Sequence, residues 1–100
     1  MFLRMYSTAL DPSDLPEVRR IFAEDIKPVF EGISGCRAME LLVANEKNPG
    51  GLVDGATISR WDSHAALTEA FESRAVAESM VRILPFLQLE PVVKIYEIVE

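Results

Sequence analysis

Trp61 and His64 lie within the stretch Ile58-Ser59-Arg60-Trp61-Asp62-Ser63-His64-Ala65-Ala66-Leu67, and they are the only indole and the only imidazole in the chain. An imidazole that is neutral near pH 7 can take a proton from a substrate, while an indole presents a broad apolar face with one N–H donor. The pair suits chemistry on a flat, weakly acidic molecule, with His64 as general base and Trp61 as a wall of the site. Arg60 can pair a phenolate or a carboxylate, Tyr6 and Tyr96 can donate to a bound carbonyl, and Phe71 can border an apolar pocket. These four are the candidate substrate-binding residues. Each of the six also has a plainer reading: Trp61 as core, His64 as an exposed residue of a helix start, Arg60 in a surface ion pair, and Tyr6, Phe71 and Tyr96 as packing.

The elements around these residues follow from periodicity. Phe2 to Ala9 reads as a first strand, with Phe2, Tyr6 and Thr8 on one side and Leu3, Met5 and Ala9 on the other. Asp11 before Pro12, or Asp14 with Glu17 three residues on, starts a helix whose apolar stripe is Leu15, Val18, Phe22, Ile26, Val29 and Ile33. Pro28 cannot donate to the carbonyl of Glu24, which predicts a bend, and Gly32 and Gly35 end the element. Cys36 to Ala44 forms a second strand whose consecutive apolar residues predict burial on both faces. The polar Asn45–Gly51 segment is a hairpin loop leading to a third strand, Leu52 to Trp61. Asp62 or Ser63 caps the next helix, which carries Leu67, Ala70 and Phe71 on one side. Ser73 caps a further helical segment with Val76, Ala77, Met80, Val81 and Leu84 inward, and Pro85 closes it. The β-branched run Val92 to Val99 is the last strand.

Strand, helix, strand, strand, helix, strand is a ferredoxin-like α+β order, an antiparallel sheet of four with both helices on one face. The chain's 100 residues form a single domain, 1–100. Two helices cover one face only, so apolar residues on the other predict a homodimer joined through the sheet faces. A hydrophobic content of 49% with 26% charged residues predicts a folded chain throughout, and a net charge of −6 argues against nucleic acid as a partner. No apolar run is long enough to span a membrane and the first residues lack a signal-peptide pattern, so the expected location is cytoplasmic. One cysteine, Cys36, excludes an internal disulfide; with one histidine it leaves too few soft ligands for a zinc or haem-thiolate site. Cys36 reads as a small apolar strand residue. No metal or cofactor is expected.

The chain resembles the antibiotic biosynthesis monooxygenase superfamily. The likeness lies in the element order, in the turn Gly32-Ile33-Ser34-Gly35-Cys36, and in Arg60-Trp61-Asp62-Ser63-His64-Ala65-Ala66-Leu67 followed by Phe71-Glu72-Ser73. That resemblance implies a dimeric α+β barrel and cofactor-independent oxidation of a small aromatic, phenolic or quinol-like molecule, with Trp61 at the position of a strand-end Trp that lines the pocket. Haem-degrading relatives carry a Trp within the second helix and an iron-binding His late in it, where this chain has Phe71 and Ser79-Met80. The superfamily also contains isomerases and proteins without a known reaction. A small-molecule isomerase and a non-enzymatic binding or interaction module of the same fold therefore stay open beside the oxygenase.

Overall fold

The computed structural model describes all residues from Met1 to Glu100. Its strands are β1 (Phe2–Leu10), β2 (Cys36–Lys47), β3 (Val53–Trp61) and β4 (Val92–Glu97). They form one antiparallel sheet in the order β2-β3-β1-β4. Between β1 and β2 run a 3₁₀ turn (Pro12–Asp14), α1 (Leu15–Ile21), a π turn (Phe22–Ile26) and α2 (Lys27–Glu31). Between β3 and β4 run α3 (His64–Glu72), α4 (Arg74–Val81) and a 3₁₀ turn (Leu84–Phe86). This is the ferredoxin-like α+β arrangement expected from the order of elements.

Capping explains where the helices begin. Of the two candidate starts for the first, Asp11 is the one used: its carboxylate accepts from the backbone N–H of Ser13 at 2.9 Å, while Asp14 makes no side-chain cap and Glu17 pairs with Arg20 instead. Ser63 caps α3 by accepting from Ala66 N–H at 3.1 Å, leaving Asp62 to pair with Arg37. Ser73 serves two helices: it donates to the Ala70 carbonyl at 2.6 Å and accepts from Val76 N–H at 3.3 Å.

The bend expected at Pro28 takes the form of the π turn just before it. Lys27 N–H reaches back to the Phe22 carbonyl, and this wider turn accommodates the missing donor of Pro28. It also changes which residues face inward. Val18, Phe22, Ile26 and Phe30 are buried at regular steps of four, with Phe30 wholly enclosed, whereas Val29 lies only partly buried. The inward stripe of α4 likewise differs from expectation: Val76, Ser79 and Ile83 are buried, while Ala77, Val81 and Leu84 face solvent.

The strand register divides the sheet's side chains into two sets, because directly opposed residues point to the same face. Toward the helices lie the rows Cys36–Trp61–Phe2–Glu97, Met39–Ser59–Arg4–Ile95 and Leu41–Thr57–Tyr6–Val93. Away from them lie Ala38–Arg60–Leu3–Tyr96, Glu40–Ile58–Met5–Lys94 and Leu42–Ala56–Ser7–Val92. No layer of this chain covers the second set. Burial of the second strand on both faces is therefore corrected for the single chain: Leu42 is 42% exposed, because β2 is a sheet edge and its outer face is bare. β2 also runs further than expected, to Lys47, and the loop shrinks to an Asn48-led turn in which the Asn48 side chain accepts from Gly50 and Leu52 N–H.

Gly35 joins the two halves of the chain. Its φ of +88° is accessible to glycine at little cost, and a Cβ there would come within 2.8 Å of the Ala66 Cβ on α3. The Asp62 N–H donates to the Gly35 carbonyl at 2.9 Å, so the entry to β2 is tied directly to the start of α3.

Candidate functional site

Trp61 is fully enclosed. Its Nε1–H donates to Ser59 Oγ at 2.9 Å, satisfying the one polar atom that burial would otherwise leave orphaned. The rings of Phe30 and Phe71 meet it edge-on, with centroids 6.3 and 5.9 Å away. Trp61 thus supports the site from behind rather than forming an open wall.

His64 and Phe71 stand on the stripe of α3 that faces β1, with Thr68 between them at helical spacing. The His64 imidazole meets Phe2 edge-on at 5.5 Å, and Thr68 Oγ1 lies 3.4 Å from its Nδ1; the residue is exposed and its Nε2 makes no hydrogen bond within the chain. About two turns along the helix, the Phe71 ring carries the guanidinium of Arg4 at 3.7 Å from its centroid, a cation–π contact. The same guanidinium lies 5.7 Å from the Tyr6 ring. The register of β1 along this helix therefore gives a strip floored by Phe2, Arg4 and Tyr6, walled by His64, Thr68 and Phe71, and bordered on its far side by Val93 and Ile95 of β4. Both β4 residues are 46% exposed.

Tyr6 also forms part of an apolar cavity of about 30 Å³ between the sheet and the helices, lined further by Leu10, Phe22, Ile26, Met80 and Leu87. That volume holds a water or two and falls far below the roughly 300 Å³ at which small-molecule pockets begin. An aromatic ligand would have to sit on the open strip, with the cavity beneath its Tyr6 end. Burial pushes the Tyr6 phenol above its ordinary value, against a smaller opposing pull from Arg4, so it is a neutral O–H donor at physiological pH. Burial also lowers the Arg4 guanidinium, opposed by Tyr6. The Cys36 thiol is raised chiefly by desolvation, and it contacts the Ala38 carbonyl.

Of the six residues singled out in the sequence, Tyr6, His64 and Phe71 converge on this strip, and Trp61 packs behind it. Arg60 and Tyr96 do not join them: both oppose Leu3, on the sheet face away from the helices. Arg4 was missed. Its signal was present in the alternation Phe2, Arg4, Tyr6, Thr8, where a cation occupies an inward position of an otherwise aromatic and apolar strand face. No three His, Cys, Asp or Glu side chains converge as a metal site would require. No helix is long and apolar enough to cross a membrane.

The fold is shared with solved structures, several of which are named as antibiotic biosynthesis monooxygenases, some of them provisionally. A structure named as an antibiotic biosynthesis monooxygenase superposes with a TM-score of 0.77 at 18% identity, covering 100% of both chains. A protein from Nitrosomonas europaea, provisionally given the same name, superposes at 0.78 with 7% identity and again covers 100% of both. A protein from Bacillus halodurans, named for the ethyl tert-butyl ether family, reaches 0.67 at 18% identity over 99% of this chain and 100% of its own. No protein-family model matches the sequence, and neither does any curated protein. At these identities the likeness establishes the fold.

Proposed function

We propose that this chain is a cofactor-independent monooxygenase acting on a small aromatic, phenolic or quinol-like molecule, working in the cytoplasm as a homodimer joined through the outer sheet faces. The observation that carries this reading is the strip itself: an exposed imidazole at the start of α3, a phenol donor and the rings of Phe2 and Phe71, arranged along β1 within the fold of the antibiotic biosynthesis monooxygenase structures. His64 takes the phenolic proton. The electron-rich anion then reduces dioxygen; one oxygen atom becomes a ring carbonyl and the other leaves as water with two hydrogens from the substrate, one from the oxidised ring carbon and the phenolic proton that His64 returns. Tyr6 donates to the developing carbonyl and Phe71 stacks on the ring. Trp61 holds Phe71 in place. Arg60 and Tyr96 lie on the outer face and belong to the dimer interface in this reading.

Non-enzymatic binding of a small aromatic molecule is the second reading, and one observation favours it: His64 has no carboxylate partner to orient its ring or stabilise its protonated form. Oxygen uptake with dihydroxynaphthalene or anthrone separates the two. The oxygenase reading expects uptake by the wild-type protein and a fall of about two to four powers of ten in His64→Ala, with unfolding free energy moved by no more than about 0.5 kcal/mol. Uptake that is the same in both proteins removes His64 from the mechanism, and no uptake with any phenol in a broad panel leaves the binding reading standing.

A further inference from the structure

Arg4 differs from the chain's other arginines in its surroundings. Arg20, Arg37, Arg74 and Arg82 each pair with a carboxylate at the surface, and Arg19 and Arg60, which do not, are exposed to water. Arg4 has no such partner although the chain carries sixteen acidic residues, and it is partly buried on an inward row of the sheet. Its neighbours in that row are Ser59, whose hydroxyl is occupied by Trp61, and Ile95. Taking a guanidinium out of water without a countercharge is unfavourable, and a Leu or Met would pack against Phe71 without that cost. Stacking on Phe71 uses the face of the guanidinium and leaves its in-plane N–H fork unused, the geometry that recognises an oxyanion.

We infer that Arg4 anchors a ring-borne oxyanion, a phenolate or an aryl carboxylate, lying on the strip between α3 and β4; this rests on the reading of that strip as the place where an aromatic molecule binds. The ligand's charge supplies the partner the chain withholds, its ring extends over Phe2 toward His64, and Ile95 and Val93 line its outer edge. By the spacing of Phe2 and Arg4 along the strand and of His64 and Phe71 along the helix, imidazole and guanidinium stand roughly 7–10 Å apart, a span of two or three fused rings. Arg4 thereby sets both which molecules bind and which end of them faces His64.

Calorimetric titration with 2-naphthoate, 2-naphthol and the neutral 2-naphthamide tests this on the intact protein. Naphthoate or the naphtholate formed at raised pH should bind at least about tenfold more tightly than naphthamide, Arg4→Gln should abolish that preference while leaving naphthamide binding within about twofold, and Arg4→Lys should keep part of it. The tighter of the two anions identifies which oxyanion the site takes. Equal binding of anion and amide to the wild type, an intact preference in Arg4→Gln, or no binding of either anion overturns the assignment, and the wild-type comparison decides alone if Arg4→Gln does not fold. Oxygen uptake on the same samples keeps the two readings apart. Anion binding lost in Arg4→Gln without any oxygen consumption upholds the anchor and removes the oxygenase; oxygen consumption unaffected by Arg4→Gln does the reverse.

Discussion

On the helix side of the sheet, Met39 and Ser59 are each 3% exposed and Trp61 is at 0%, whereas Val93 and Ile95 on β4 are each 46% exposed. Ser59 and Ile95 belong to one row, separated by Arg4 alone. Their different fates come from sheet order. The connections from β1 to β2 and from β3 to β4 lay the helices over β2, β3 and β1, and β4, added at the far edge, receives no helix above it. Side-chain type does not separate the two regions, since the last strand is as rich in β-branched and aromatic residues as any other. Arg4 sits on the boundary between the sealed half and the open half, where a cation can be held by aromatic faces and still meet a ligand.

The largest test of this contrast is Trp61→Ala. Removing a fully enclosed indole that touches Phe30 and Phe71 and leaves Ser59 without its donor should cost about 3–5 kcal/mol, read from urea denaturation. A loss below about 1 kcal/mol would mean that the sealed half is not the core it looks like. Next comes Leu42→Asp on the bare outer face, which should convert the proposed dimer into monomers at micromolar concentration, a change visible in light scattering as a halving of mass, because in that arrangement the charge would lie in an apolar interface without a partner. Two copies that stay together after that change would place the association surface elsewhere. The smallest effect is expected from Ile95→Ser on the open half: a change in unfolding free energy of at most about 0.5 kcal/mol, as at other solvent-facing positions. A cost approaching that of Trp61→Ala would mean that β4 is covered in solution, and the contrast between the halves would then be a property of the isolated chain.

Element order, the caps at Ser63 and Ser73 and the turn at Gly35 were legible because each depends on a few neighbouring residues. Which face a strand residue takes was less so. Arg60 and Tyr96 read as pocket residues because they are polar or aromatic and lie near Trp61 or on the final strand, but facing is set by the period of two and by register with β1, and both fall one step out of phase with the inward set. Arg4 was hidden for the opposite reason: a charged side chain breaks an apolar pattern, and its in-phase position becomes meaningful only when Phe71, far along the chain, is brought over it. The missed burial of Phe30 has a third cause, a helix whose pitch is not uniform.

That uneven pitch matters for how chains of this fold are compared. Each residue advances an α-helix by about 100°, so a wide turn at Phe22–Ile26 resets the phase of everything after it by a fraction of a turn. Read as one regular helix, Leu15 to Glu31 would put Val29 on the inward stripe with Val18 and Phe22, although Phe30 is the residue that packs against the indole here. At identities between 7% and 18% a one-residue slip passes unnoticed by scoring and yet exchanges a core side chain for a surface one. For such chains, gaps belong at the wide turn, and the correspondence of α2 is best fixed from the indole outward.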